Sequence, residues 1–415
     1  MTQQFEKNIT FDNTAYAFAY KTDKELKKAN FLFSLMGNPF MIKWGLRFLP
    51  VAIKLRLPFV NTAIRKTIFP QFVGGETLEQ TDAVVDKLEK YNVHVILDYG
   101  VEGGEGEELF EAATTQFIKV IDYAAQQTSI PFISIKVTGI ARFGLLEEID
   151  SAMRNSEGDT LMKKYYSVIE SLTKDLKEEW QRCVTRLHKI CDEANNKNIA
   201  VLVDAEESWI QDPVDALTIL MMDTFNRSKS VVYNTIQLYR HDRLAFLKSS
   251  FEAAKERQFI LGTKLVRGAY MEKERARAIE NGYSSPIQSN KEACDNDYNE
   301  AIAFSVNNID KIALIVATHN EASNLYATSL LIQKGIEGHH DHVHFSQLYG
   351  MSDNITFNLA QSGFSVSKYL PFGPIKDVVP YLMRRAQENS SVAGQTGREL
   401  GLIKKELARR INFKN

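Results

Sequence analysis

The stretch IALIVATHN, residues 312–320, is apolar without a break from Ile312 to Ala317 and then turns abruptly polar. A half-exposed strand would alternate and a surface helix would repeat every three to four residues. Unbroken Val/Ile-rich character ending in Thr-His-Asn describes a strand buried on both faces. Runs of the same kind recur along the chain, separated by longer amphipathic stretches: VHVILDYG (93–100), FISIKVTG (132–139), IAVLVDAE (199–206), VVYNTIQLY (231–239), FILGTKLV (259–266), VHFSQLYG (343–350) and FSVSKYLPFG (364–373). With residues 312–320 they make eight. Eight buried strands alternating with helices predict an α/β protein, a closed (β/α)8 TIM-like barrel rather than an open sheet, whose strand number is less constrained.

The runs end in polar residues: Asp98, Lys136, Asp204, Gln237, Arg267, Thr318 with His319 and Asn320, Gln347, and Tyr369. A barrel sends the carboxyl ends of its strands to one mouth, where barrel enzymes place their chemistry. Any one of these residues is ordinary at a strand end; the ring of them is the signal.

The 415 residues are 44% hydrophobic and 25% charged, with a formal net charge of −2, so the whole chain offers no broad basic field for nucleic acid. Three cysteines without CxxC spacing fit a reducing compartment and carry no assigned chemistry. The N-terminus includes Glu6 and Asp12 and lacks an apolar signal core, so a cytoplasmic location is expected. We divide the chain into an N-terminal helical region (1–90), the barrel (91–400) and a C-terminal tail (401–415). A charged, heptad-like helical arm (141–198) is inserted between strands 2 and 3. Residues 31–73 hold Lys43, Arg47, Lys54, Arg56, Arg65 and Lys66 but no acidic residue, and are interrupted too often to span a membrane. Such a segment either lies on an anionic membrane surface, its aromatics inserted, or packs against the bottom of the barrel with its basic face in water.

After the eighth run, YLPFGPIKDVVPYLMRRAQEN (369–389) breaks at Gly373-Pro374 and then places Tyr381, Arg384, Arg385 and Glu388 on one helical face. Adjacent guanidiniums on a buried face call for an anion between them, and their planar forks match a carboxylate. TKLVRGAY (263–270) joins a strand end to two cations and a glycine, suited to an electron-rich or phosphorylated ligand; capping chemistry explains much of ATHN equally well. The glycines of YGVEGGEGEE (99–108) are interspersed with glutamates that would repel a diphosphate, so it reads as a loop. GHHDHVH (338–344) gathers His339, His340, His342 and His344, but these precede the strand end rather than crowning it, and no metal site is assigned.

DAEES (204–208), KLVRGAYMEKER (264–275), ATHNEAS (317–323), and Tyr369-x-Pro-Phe-Gly followed by Tyr381-x-x-Arg-Arg-x-x-Glu together resemble the proline dehydrogenase family, in its monofunctional form. The resemblance implies a distorted barrel with noncovalent FAD, oxidation of L-proline to Δ1-pyrroline-5-carboxylate by hydride transfer to flavin N5, and a membrane quinone as electron acceptor. It implies that Arg384, Arg385 and Lys136 receive the substrate carboxylate, that Tyr369, Tyr381 and Leu348 wall the ring, that Asp204 fixes a cation, and that Tyr270 lies by the flavin-side pocket. For FAD it implies Gln237 and Lys264 at the isoalloxazine, Val266, Arg267, Gly268 and Ala269 along the flavin and ribityl-phosphate, Thr318, His319 and Asn320 toward the diphosphate or adenosine, and Glu388 in the closing helix. Lys264 stands where some members have arginine, and Met271 where some have tryptophan. The basic 31–73 segment would then dock the mouth near the bilayer, as peripheral membrane contact.

Three other readings use the same residues. Oxidation of 4-hydroxyproline or of an N-alkylproline would use the same scaffold, although Tyr369 favours the unsubstituted ring. A flavin-free barrel that binds amino acids is the third, and the presence of both KLVRGAY and ATHN argues against it.

Overall fold

A computed structural model describes residues 9–38, 40, 44–45, 47–48, 59–100, 105–391 and 395–413, the side chains of 388–391 and 395–396 excepted. Each of the eight apolar runs forms a strand: β1 (His94–Tyr99), β2 (Phe132–Ile135), β3 (Ala200–Val203), β4 (Val232–Gln237), β5 (Leu261–Val266), β6 (Ile312–Ala317), β7 (Val343–Leu348) and β8 (Val366–Phe372). All neighbours are parallel, and the order β1 to β8 closes on itself, β8 pairing with β1 from His94 opposite Ser367 to Tyr99 opposite Phe372. The inside of the barrel is filled by Ile96, Phe132, Leu202, Tyr233 and Ile315. Outward-facing residues of the same strands enter a larger core under the helices, which explains why the runs show no alternation.

The insertion between β2 and β3 is three helices, Phe143–Asn155, Leu161–Ser171 and Lys174–Lys197. The last lies against Glu107–Ala124 and buries Trp180, Leu187 and Ile190 in the main core, so its heptad-like seam is covered by the barrel's own helices. At the other end of the chain, residues expected as a tail continue a helix, Gln395–Asn412, that packs on Asp23–Met36. Arg410 fastens that contact by donating to Lys21 O at 2.8 Å and Asp23 Oδ1 at 2.9 Å.

A second, smaller core stands beside the mouth. It joins Leu26 and Phe33 of Asp23–Met36, Ile64 of Val60–Lys66, Phe69 and Phe72 of Phe69–Phe72, Ile403 of the C-terminal helix, and Val378, Tyr381 and Leu382 of the helix after β8, Ile375–Ser391. Residues 59–73 therefore sit at the mouth, not at the bottom of the barrel. Backbone bonds fix this, Gly74 N donating to Pro371 O at 2.8 Å and Gly373 N to Gly75 O at 3.0 Å. Lys43, Lys54 and Arg56 lie outside the described residues. Among the described residues no helix is long and apolar enough to cross a membrane.

Candidate active site

At the carboxyl end of the barrel, strands that are distant in sequence deliver their side chains into one network. Asp98 of β1 is buried, and its Oδ1 lies 3.8 Å from Nζ of Lys136, the residue after β2. Lys264 of β5 reaches past β4 to Asp204, the residue after β3. Tyr369 of β8 joins the two sides: its hydroxyl donates to Asp204 Oδ2 at 2.7 Å and lies 3.2 Å from Ser134 Oγ. The Lys264 ammonium sits 5.4 Å from the centre of the Tyr369 ring. Burial pushes both carboxyls up. At Asp204 the Lys264 and Lys136 charges outweigh it and hold the group below its ordinary value, whereas at Asp98 burial outweighs Lys136 and the carboxyl is raised. Burial, then the Asp204 and Asp98 charges, keep the Tyr369 phenol protonated.

A second network gathers the ends of β5 and β6. The Arg267 guanidinium lies 3.8 Å from the centre of the Tyr298 ring and donates to Thr318 Oγ1 at 2.7 Å, Ser323 Oγ at 2.8 Å and Asp295 Oδ1 at 2.9 Å. Asn320 caps the helix Glu321–Gln333, its Oδ1 accepting from Ser323 N at 3.1 Å, so the capping reading of ATHN is realised alongside the contact with Arg267. Gly268 lets the Met271 side chain come close: a Cβ there would lie 2.4 Å from Met271 Sδ, so that side chain would have to move. Val266 and Tyr270 are half-buried and Ala269 is exposed. Gln237, at the end of β4, donates from Nε2 to Glu206 O at 2.7 Å and to the Tyr239 hydroxyl at 2.8 Å.

The helix Ile375–Ser391 closes the mouth, with Pro380 tolerated inside it. Tyr381 and Arg385, one turn apart, are both buried, the guanidinium 4.8 Å from the centre of the tyrosine ring; Arg384 is half-buried. Burial, with the Lys368 and Arg385 charges close by, pushes the His319 imidazole down to about 3, so it is neutral across the physiological range. Leu348 lies level with Tyr369 across the β7–β8 ladder. The Glu388 side chain lies outside the described residues.

The sequence profile of the family described as "Proline dehydrogenase" matches residues 82–398. The chain belongs to the proline dehydrogenase family. As a member it is an oxidoreductase of the proline dehydrogenase type. It is 35% identical, over 82% of its length and 84% of the relative's, to the carbapenem antibiotics biosynthesis protein CarD of Pectobacterium carotovorum subsp. carotovorum. It is 31% identical to the hydroxyproline dehydrogenase of Xenopus laevis, over 95% of this chain and 89% of that one, and 30% identical to the mitochondrial proline dehydrogenase 1 of Dictyostelium discoideum, over 96% and 75%. Among solved structures, proline utilization A (PutA) from Bdellovibrio bacteriovorus inactivated by N-propargylglycine superposes with a TM-score of 0.73 at 20% identity, over 92% of this chain and 42% of that one, which establishes the shared barrel.

In this proline dehydrogenase chain several residues of the mouth carry no role in the sequence reading. Asp98 appears there only as part of the polar ring, while Asp295, Ser352, Asp353, Lys368 and Glu399 are absent from it. A buried lysine in an otherwise apolar strand, Lys368 in FSVSKYLPFG, was the one visible signal: its ammonium is fully buried and lies 2.9 Å from Asp353 Oδ1. The histidine cluster serves the opposite end of the barrel. His344 lies 2.5 Å from Ser367 Oγ and stacks on His94, at the amino ends of β7 and β1, and burial holds it well below its ordinary value.

Proposed function

We propose that this chain oxidises L-proline to Δ1-pyrroline-5-carboxylate with noncovalently bound FAD and passes the electrons to a membrane quinone. The observation that carries the reading is the closing helix, which holds Arg385 buried over Tyr381 while Tyr369, opposite, is pinned by Asp204.

Arg384 and Arg385 bind the substrate carboxylate, with Lys136 as a third cation, and so fix the ring between Tyr369, Tyr381 and Leu348. Orientation of this kind is what a protein contributes when a cofactor carries the hard step. Cations around the ring disfavour the protonated amine, leaving the nitrogen lone pair to form the iminium. Asp204 offsets part of that charge and positions Lys264.

The residues present fit a flavin dinucleotide. Lys264 offers a donor and Gln237, whose amide N–H groups are taken by Glu206 O and Tyr239, its amide oxygen for a flat polar ring; Arg267 with Thr318, His319 and Asn320 offers cationic and neutral donors for a diphosphate, and Gly268 lets backbone come close. Lys264 keeps a charge but lacks the planar fork of an arginine. When bound, FAD supplies the two-electron acceptor that side chains lack.

The similarity to a hydroxyproline dehydrogenase keeps the hydroxylated ring as the second reading. Tyr369 favours proline, because an aromatic side chain walling the proposed pocket leaves less room for a ring hydroxyl than a smaller residue would. The test is a visible spectrum of the purified protein, taken without oxygen before and after L-proline. Flavin bands that bleach with proline, and less with trans-4-hydroxyproline, are expected; bands unchanged by proline overturn the substrate, and a colourless protein that binds no added FAD overturns the cofactor.

A further inference from the structure

The loop after β7 is held by residues from early and late in the chain. Gln71 Nε2 donates to Gly350 O at 2.8 Å, and a Cβ at Gly350 would lie 1.9 Å from Gln71 O. Lys368 Nζ donates to Met351 O at 2.6 Å. Asp353 accepts from the Tyr20 hydroxyl at 2.8 Å and lies 3.3 Å from Lys21 Nζ. Between Met351 and Asp353, Ser352 adopts φ 50°, ψ 43°, in the left-handed region that a side chain disfavours and a glycine would accept freely.

Two bonds explain a serine there. Its backbone N–H donates to Oε1 of Glu399, a buried residue of the C-terminal helix, at 2.6 Å. Its hydroxyl lies 2.9 Å from Nδ1 of His319. Glycine would relieve the backbone but lose the second bond. Engaging Nδ1 fixes the imidazole plane and assigns contact with a ligand to Nε2.

We infer that Glu399 is a positioning residue for the cofactor site: by holding Ser352 in its left-handed conformation it orients His319 toward FAD. This rests on the flavin reading of the mouth. The carboxylate lies in the C-terminal helix, away from the ring of strand ends, and acts through one backbone bond and one hydroxyl.

The test uses the full chain and its Glu399→Ala, Glu399→Gln, Ser352→Ala and Glu399→Ala/Ser352→Ala variants. FAD affinity is read by titrating flavin-depleted protein and following flavin fluorescence, with the melting temperature of the flavin-depleted chain measured beside it. Loss of a buried backbone hydrogen bond predicts FAD binding weakened about tenfold in Glu399→Ala. Glu399→Gln, which keeps an oxygen for the Ser352 N–H, is expected to restore most of it. The double variant is expected to be little weaker than either single one, because both act through the same imidazole. A Glu399→Ala protein that melts lower but binds FAD as tightly as the parent overturns the inference, as do effects of the two substitutions that simply multiply. Should Glu399→Ala fail to fold, parent-like affinity in Ser352→Ala overturns it instead. A parent chain that binds no FAD refutes the flavin reading itself, a result distinct from a flavin-binding parent whose variants are unchanged.

Discussion

Arg384 and Arg385 differ in their surroundings although they are adjacent in sequence. Arg385 is buried against Tyr381, and Arg384 is half-buried beside it. If both grip the substrate carboxylate, replacing either with alanine leaves an anion short of a partner in a place poor in water. Proline binding is expected to weaken by roughly 2–5 kcal/mol, with the larger loss at Arg385. Arg385→Lys is expected to recover little, because an ammonium cannot reproduce the fork or the stacking on Tyr381. Proline titrated against the flavin spectrum measures this, and near-parental affinity in both alanine variants would refute the carboxylate role. At this scale the sequence displayed the chemistry but not the pairing. Asp98, Lys136, Asp204 and Tyr369 are each visible as polar strand ends, and Lys264 as one of the two cations of TKLVRGAY. That Lys264 reaches past β4 to Asp204 depends on strand order, and that Tyr369 of β8 bonds the same carboxylate depends on barrel closure; no local pattern encodes either. Ser352 and Glu399 gave no signal, since their importance lies in a backbone angle and a contact across 47 positions of sequence.

Elements were legible where burial is uniform. All eight strands form where apolar runs meet polar ends, and the closing helix starts after Gly373-Pro374 as their chemistry demands. The connections were less legible, because amphipathic periodicity says that a helix has a partner and not which one. Hence the 141–198 helices, read as an arm, lie along the barrel, and residues 59–73 found the mouth. One of those connections has a titrating joint. Asp150, in Phe143–Asn155, accepts from Asp212 N at 3.0 Å and pairs with Arg154 at 2.6 Å. Burial, with the Asp212 charge, pushes its carboxyl up to about 7 against the pull of Arg154. An unfolded aspartate releases its proton near pH ~3.9. Between about pH 4 and about 7 the folded chain therefore holds a proton that the unfolded chain has lost, and stability falls as pH rises through that window. Thermal melts of the parent and Asp150→Asn across that range check the sign. The parent's melting temperature is expected to drop relative to the variant's as pH rises, and parallel curves would refute the assignment.

Taken whole, the molecule brings helices from early and late in its chain to the mouth, and this bears on the proposed passage of electrons to a quinone. The helices Asp23–Met36 and Val60–Lys66 pack against the closing helix, so the residues between them begin and end beside the proposed substrate site. Within that stretch Phe40, Trp44 and Phe48 are exposed and form a ladder, the Trp44 and Phe48 rings stacked at 4.7 Å and the Phe40 and Trp44 rings 5.8 Å apart. Three large aromatics left in water on a segment whose only charges are cationic suit a surface that is apolar within and anionic outside. A quinone dissolved in such a bilayer would meet the reduced cofactor without leaving the lipid. Full-length protein is accordingly expected to sediment with vesicles rich in anionic lipid, less so at high salt and least with zwitterionic vesicles. Replacing Phe40, Trp44 and Phe48 together with serine should release it to the supernatant while leaving proline-dependent reduction of a water-soluble quinone analogue near the parental rate, since none of the three is in the proposed site. Equal sedimentation of parent and triple variant would mean that the cations alone, or another face, meet the membrane. A parent that ignores anionic vesicles would mean the ladder serves some other partner and that quinone must reach the barrel by another route.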